Sequence, residues 1–201
     1  AGISTPEQFR GRRIATPQLG NTQDVACRSW LIERGFKVLM TGGDVQVVPT
    51  ENPDQLALFQ QGKLDAAWTV EPWVSRLETE GDGRVFLDQA DAMTTIFVGR
   101  AAVVAAEPAL VAKLRNAHRE LTAWILQHPD EAKALVRSEL EALTRRPVAA
   151  ALIDRCWPRL HFTDAVDLAG FQSFVDKARA AGLANESPDL SRLLAPAGAG
   201  R

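Results

Sequence analysis

Residues 13–24 read RIATPQLGNTQD, a short apolar segment followed by a polar turn and the start of a helical pattern. The apolar segment at 13–16 predicts a strand that ends at Pro17. Apolar residues then recur at helical spacing over 22–34, and Gly35 occupies the place typical of a glycine after a helix C-terminus. We therefore predict a strand–turn–helix unit, of the kind that builds parallel sheets covered by helices.

The same alternation continues outward from this unit through residues 11–88. Short apolar runs indicate strands, and proline or asparagine at the head of a periodic stretch indicates the start of a helix. The predicted strands are 13–16, 45–48, 64–70 and 84–87, and the helices between them begin near Asn21, Asn52 and Pro72. This order predicts one α/β domain over 11–94, preceded by a linker at 1–10.

The second half of the chain has a different pattern. Residues 95–98 and 101–104 are apolar and predict one long or broken strand. Four helices are predicted after it, opened by Pro108, Pro129 and Pro147 and, for the last, covering 165–182. Helices of this kind usually cover a parallel sheet, and here most of that sheet is missing. Residues 195–201 are rich in alanine and glycine and predict a disordered tail.

The composition is that of an ordinary globular protein, with 201 residues, 46% hydrophobic and 24% charged, and a formal net charge of −2. This charge balance gives no basic surface for nucleic acid. No apolar run reaches the roughly 18 residues that a transmembrane helix needs, and residues 1–6 lack the charged and apolar regions of a signal peptide. Cys27 and Cys156 lie far apart in the sequence, and we interpret both as buried small hydrophobic residues.

The sequence contains no catalytic or metal-binding motif that we recognise. It lacks the GxSxG nucleophile elbow, the P-loop, the dinucleotide-binding glycine pattern and the HExxH zinc motif. His118, His128 and His161 do not have metal-ligand spacing, and we expect surface or capping roles for them. We therefore predict no catalytic residue, no metal, no cofactor and no enzymatic activity.

The turn between the first strand and the first helix is the first candidate binding site. Open α/β sheets bind ligands where the carboxyl end of a strand leads into a helix. If the helix starts at Asn21 or Thr22, unpaired backbone N–H groups of Asn21, Thr22 and Gln23 face outward at the positive end of the helix dipole. Gly20 would let the backbone approach a ligand closely. The pattern predicts an anion site, and the alternative is that Asn21 or Thr22 merely caps the helix.

The segment 68–73, WTVEPW, is the second candidate. It is also a strand-to-helix junction, which the fold would place beside the first one. An indole next to a carboxylate can hold an organic ligand and accept a hydrogen bond from an ammonium or hydroxyl group. The alternative is that Trp68 and Trp73 belong to the core and Glu71 only favours the helix N-terminus.

Taken in order, these segments resemble the nitrate/sulfonate/taurine-type substrate-binding proteins of ABC importers. The similar segments are FRGRRIATP at 9–17, QLGNTQD at 18–24, QQGKLDAAW at 60–68, EPW at 71–73, EPALV at 107–111 and HPDEA at 128–132. The resemblance extends from about residue 4 to about residue 194. No single segment is diagnostic, and the specificity lies in the ordered set.

The resemblance implies an α/β, periplasmic-binding-protein-like (type II) fold whose two lobes close on a small anionic solute such as a sulfonate, nitrate or taurine. The implied ligand-binding residues are Gln18, Gly20, Asn21, Thr22 and Gln23 on one side, with Trp68, Glu71 and Trp73 on the opposite wall or at the hinge. The implied protein partner is the membrane permease of an ABC importer. The implied location is periplasmic, or extracytoplasmic and membrane-anchored.

Family members carry further residues before the segment that begins this chain. We therefore expect one complete lobe at 11–94 and, at 95–194, only the crossover strand and later helices of the other lobe. Weak ligand binding by this chain alone and dimerisation through the incomplete lobe are further expectations.

Two alternatives share this fold. One is the effector domain of a LysR-type transcription regulator, which should open directly with a strand of its first lobe. The other is an enzyme related to pyrimidine synthases, which needs a histidine- or cysteine-bearing active site. No histidine falls in the predicted cleft.

Overall fold

The computed structural model describes residues 2–90, 92 and 94–193, and these form two compact units. The first, which we call the α/β unit, takes in described residues between 2 and 94 together with 169–188. The second, the helical unit, takes in 95–168 and 189–193. The tail predicted to be disordered at 195–201 lies outside the described residues.

A three-stranded parallel sheet forms the centre of the α/β unit. Its strands are β1 (Arg13–Thr16), β2 (Gln46–Pro49) and β3 (Ala66–Ala67), in the order β2-β1-β3. Ile14 pairs with Val47 on one side and with Ala66 on the other, so the strand of the opening segment is the central one. The alternating strands and helices of the sequence therefore produce the predicted parallel sheet.

Helices follow each strand of this sheet. They are α1 (Thr22–Glu33), α2 (Asn52–Gln60) and α3 (Trp73–Glu80), with α8 (Leu168–Ala180) contributing almost all of its length to the same unit. The prediction that the first helix begins at Asn21 or Thr22 is confirmed, because Asn21 is the N-cap and Thr22 the first helical residue. The second helix, predicted to begin near Asn52, has Asn52 as its first residue, and the Asn52 side-chain Oδ1 accepts a hydrogen bond from Thr69 Oγ1.

The core of the α/β unit lies between α1 and the sheet. The buried cluster consists of Phe9, Ile14, Cys27, Trp30, Leu31, Phe36, Val45 and Val47. Phe9 packs edge-on against Trp30 with ring centroids 5.7 Å apart, and Leu31 is fully buried. Cys27 and Cys156 are both buried, as predicted, and burial raises the pKa of the Cys27 thiol far above its ordinary value.

The helical unit is a series of helices. They are α4 (Ala101–Ala106), α5 (Pro108–Gln127), α6 (Pro129–Thr144) and α7 (Ala150–Cys156), and two of them, α5 and α6, begin at a proline. Proline is favoured in the first turn because its missing N–H has no intrahelical partner there. Helix α5 contacts α6, and α6 contacts α7. Among the described residues, no helix combines the length and apolar character needed to cross a membrane.

The strands predicted at 84–87 and 95–104 are wrong, and the third strand is shorter than predicted. Residues 82–89 have no regular structure, although Phe86 still packs its ring against Phe9 at 5.1 Å. Residues 101–106 read AAVVAA and form α4. An apolar segment becomes a strand only where a neighbouring strand pairs with its backbone, and alanine otherwise favours helix.

Candidate functional site

Three strand-to-helix junctions meet at one edge of the α/β unit. Because β1, β2 and β3 are parallel, their carboxyl ends lie at the same edge of the sheet. Backbone hydrogen bonds join these ends: Thr50 N donates to Thr16 O at 2.7 Å and Trp68 N donates to Ala15 O at 2.8 Å. The N-termini of α1, α2 and α3 therefore start from the same edge, where ligands of open α/β sheets bind.

The junction between β1 and α1, residues 17–23, is called the anion loop here. Asn21 caps the helix, since its Oδ1 accepts a hydrogen bond from Asp24 N at 2.9 Å. Gly20 adopts a φ of +75°, in the left-handed region that favours glycine, and an added Cβ there would meet nothing within 4 Å. Gly20 is therefore explained by the positive φ that the turn requires, without reference to a ligand.

Two backbone donors remain open where the anion loop enters α1. Thr22 and Gln23 occupy the first two helical positions, whose N–H groups have no intrahelical partner. Among the described residues, no protein acceptor bonds to either N–H. Asn21 was predicted as a third open donor and is not one, because its N–H donates to Gln18 O at 3.3 Å in the turn that starts the helix. The helix dipole adds partial positive charge at this point.

Beneath the anion loop lies a buried ion pair that sequence reasoning missed. Arg28 Nε donates to Asp24 Oδ2 at 2.9 Å, and the side chains of Arg28 and Asp24 are 2% and 0% exposed. Asp24 also accepts hydrogen bonds from Thr16 Oγ1 at 2.7 Å and from Gly20 N at 2.9 Å. The signal in the sequence was an Asp and an Arg four residues apart within a run of buried helix positions.

The junction between β3 and α3 carries the other predicted residues. Glu71 precedes Pro72, the N-cap of α3, and its two carboxylate oxygens accept hydrogen bonds from Ser75 N and Ser75 Oγ in the first turn, each at 3.0 Å. The Trp73 ring lies 5.0 Å from the guanidinium of Arg76. The Glu71 hydrogen bonds match the alternative proposed for that residue, a role at the helix N-terminus, whereas Trp73 is only partly buried and is not among the buried core residues. Ligand contact by Glu71 and Trp73 stays a prediction.

Trp68 lies between the core and the sheet edge. It is half-buried, and its ring packs against Trp30 with centroids 5.9 Å apart. The alternative that Trp68 contributes to the core is therefore supported. Gln18 is exposed in the anion loop, and Asn21, Thr22 and Gln23 are partly exposed.

No group of histidine, cysteine, aspartate or glutamate within the described part of the chain is arranged to hold a metal ion. His128 links α5 to α6, stacks on Trp124 at 5.4 Å, and contacts Glu131 Oε1 through Nδ1 at 3.1 Å. His118 stacks on Phe97 at 5.8 Å. These contacts give two of the three histidines local structural roles in the helical unit.

Comparison with known proteins gives consistent matches. Residues 3–140 match the NMT1-like family. The taurine-binding periplasmic protein of Escherichia coli (strain K12) is 34% identical over 89 residues, which are 43% of this chain and 25% of that protein. The alkanesulfonate-binding protein SsuA from Xanthomonas axonopodis pv. citri, solved bound to MOPS, superposes with a TM-score of 0.72 and 16% identity.

This likeness to a solved binding protein confirms the predicted α/β, periplasmic-binding-protein-like fold. The superposition covers 92% of this chain and 63% of SsuA, so the chain spans less than two thirds of either relative. The matches give no support to the transcription-regulator alternative. Because the family match extends over more than half of the sequence, from residue 3 to residue 140, the chain belongs to the NMT1-like family.

Proposed function

We propose that this chain is the solute-binding part of an ABC-importer substrate-binding protein and that it takes a small sulfonate or a similar oxyanion. The observation that carries the proposal is the pair of open N–H groups of Thr22 and Gln23 at the carboxyl edge of the sheet. The two relatives, a taurine-binding and an alkanesulfonate-binding protein, favour a sulfonate over nitrate as the first ligand to test.

The anion loop suits an oxyanion for a simple chemical reason. A helix N-terminus offers N–H donors and partial positive charge in one place, and a sulfonate offers three acceptor oxygens. The hydroxyl of Thr22 and the side-chain amides of Asn21, Gln18 and Gln23 can donate to the same group. These residues would therefore hold the anionic end of the ligand without a charged side chain.

The organic end of the ligand would face the second junction. We place Trp68, Glu71 and Trp73 beside it, because β3 neighbours β1 and both junctions leave the same edge of the sheet. Indole rings pack on alkyl groups, and a carboxylate accepts a hydrogen bond from an ammonium such as that of an aminosulfonate. Glu71 would combine this contact with its hydrogen bonds to Ser75 in the first turn of α3.

The proposed partner is the membrane permease of an ABC importer, and the proposed location is extracytoplasmic. Both follow from the family and from the relative that is named a periplasmic protein. Solute capture of this kind needs no catalytic group, which agrees with the proposal of a binding protein without enzymatic activity.

We further propose that two copies associate through the helical unit. Its long helices expose large apolar side chains, with exposed fractions of 53% for Leu121, 57% for Leu135 and 78% for Leu143. Exposed large apolar side chains on neighbouring helices can mark a protein–protein interface. Sizing by light scattering tests this part of the proposal: a monomer at high concentration would contradict it.

A ¹⁵N NMR titration with taurine, butanesulfonate and nitrate tests the binding function, since it detects millimolar as well as micromolar dissociation constants. Ethanolamine, which lacks the sulfonate, is the matched control ligand for taurine. We expect the sulfonates to shift the amide signals of Thr22 and Gln23 and ethanolamine to leave them unchanged. Equal shifts with ethanolamine, or sulfonate-induced shifts confined to other regions, would contradict the proposal.

A further inference from the structure

The buried pair Asp24–Arg28 is hydrogen-bonded to the anion loop, and the proposed function assigns it no role. We infer that Asp24, neutralised by Arg28, is a positioning residue for anion binding, because it holds the loop in the shape that presents the Thr22 and Gln23 N–H groups. This inference rests on the proposed function and adds the residues that determine how well the site is formed.

One carboxylate holds both ends of the turn. Oδ1 of Asp24 accepts from Thr16 Oγ1 at the end of β1, and Oδ2 accepts from Gly20 N just before the helix. The backbone of Asp24 is also fixed, because its N–H donates to Asn21 Oδ1. Strand end, turn and helix start are therefore bonded to a single buried residue, and the direction of the next two N–H groups depends on it.

Arg28 makes this arrangement compatible with an anionic ligand. An unpaired carboxylate at Asp24 would lie close in sequence to the proposed sulfonate site and would repel the ligand. Arg28 places its guanidinium 2.9 Å from Oδ2 and donates further hydrogen bonds to Leu39 O at 3.3 Å and Val47 O at 3.5 Å. The pair is neutral as a whole and tied to β2, which leaves the positive end of the α1 dipole to act on the ligand.

A purely structural role for the pair predicts a different result. In that case, loss of the pair would lower the free energy of unfolding and leave the affinity of the folded molecules unchanged. Leu31→Ala is the matched control, because Leu31 is fully buried on the same helix and belongs to the hydrophobic core. A cavity there destabilises the unit without removing any hydrogen bond of the anion loop.

The experiment compares Asp24→Ala, Asp24→Asn, Arg28→Met and Leu31→Ala with the parent chain. NMR measures hydrogen exchange of the Gly20 amide without ligand and the Kd for taurine, at a temperature where each variant is folded. In Asp24→Ala we expect the Gly20 exchange rate and the Kd to rise about tenfold or more, as for loss of one hydrogen bond to a charged group. Asp24→Asn keeps one carbonyl acceptor and should be intermediate.

Arg28→Met should raise the Kd for taurine, because it leaves the carboxylate unpaired, and Leu31→Ala should bind taurine within about twofold of the parent. If Asp24→Ala shows the same Kd for taurine and the same Gly20 exchange rate as Leu31→Ala, the inference is overturned. If Asp24→Ala does not fold, the same two measurements on Asp24→Asn decide. A parent chain that binds no sulfonate would instead refute the proposed function. The exchange rate of Gly20 is measured without ligand and still decides whether Asp24 positions the loop.

Discussion

Replacement of Thr22 by proline tests the proposed anion site at a single backbone atom. Thr22 is the first residue of α1, where proline is well tolerated, and Asn21 before it has φ −74° and ψ 176°, in the extended region that a following proline requires. The substitution therefore removes one N–H donor and leaves the helix in place. Thr22→Val is the matched control, since it removes the hydroxyl and keeps the N–H.

The expected effect follows from the strength of one hydrogen bond to a charged group, about 1.5–3 kcal/mol net. Since 1.4 kcal/mol corresponds to a factor of ten, the Kd for taurine should rise about 10- to 100-fold in Thr22→Pro relative to Thr22→Val. Titration by NMR gives both constants, and urea denaturation confirms that both variants are folded. Equal Kd values for the two variants would refute the reasoning that the Thr22 N–H binds the anion.

Three further predictions concern stability and association. Leu31→Ala should lower the free energy of unfolding by about 2–5 kcal/mol in urea denaturation, because the residue is fully buried; a loss below about 1 kcal/mol would contradict the core assignment. Burial alone would raise the pKa of Asp65, but hydrogen bonds from the Arg13 backbone and side chain lower it below the usual range. Asp65 therefore stabilises the fold at pH values above its ordinary pKa near 4, and this stabilisation is lost as the pH falls through the lowered pKa. Asp65→Asn should be less stable than the parent at pH 7 and nearly equal to it at about pH 2. An equal loss of unfolding free energy at both pH values would contradict this. Leu121→Glu should shift the helical unit's proposed dimer to monomer in light scattering, whereas Lys113→Glu, a charge change at a residue that is not apolar, should leave the distribution unchanged.

Much of the fold could be predicted because its signals are local. Asn21 as a cap, Gly35 after α1, and prolines at 108 and 129 each act within one helical turn, and the helices begin where these residues indicate. The later helices predicted from 147 and 165 each begin three residues further on, at Ala150 and Leu168. Local sequence signals predict that a helix forms, but they predict its first residue only to within about one turn.

The candidate site was predicted in part. The strand–turn–helix unit at the anion loop was predicted from the order of residue types in the sequence. The number of open N–H groups depends on hydrogen-bond acceptors that the sequence does not reveal. Gln18 takes the N–H of Asn21, and Asp24 takes that of Gly20. Glu71 was predicted near a ligand from its strand-to-helix junction and from the family resemblance; the structure shows its carboxylate bonded to Ser75, and ligand contact stays a prediction.

The sequence by itself determined the α/β class, the starts of most helices to within a turn and the strand–turn–helix unit at 13–34, because hydrophobic period, capping and glycine geometry act over a few residues. Tertiary structure alone decided which apolar segments became strands: residues 84–87 and 95–104 have the composition of strands but pair with no strand in the described part of the chain. It also decided that Asp24 and Arg28 form one buried pair tied to β1 and β2, since the cost of burying a charge is offset only by partners that folding brings together from distant positions.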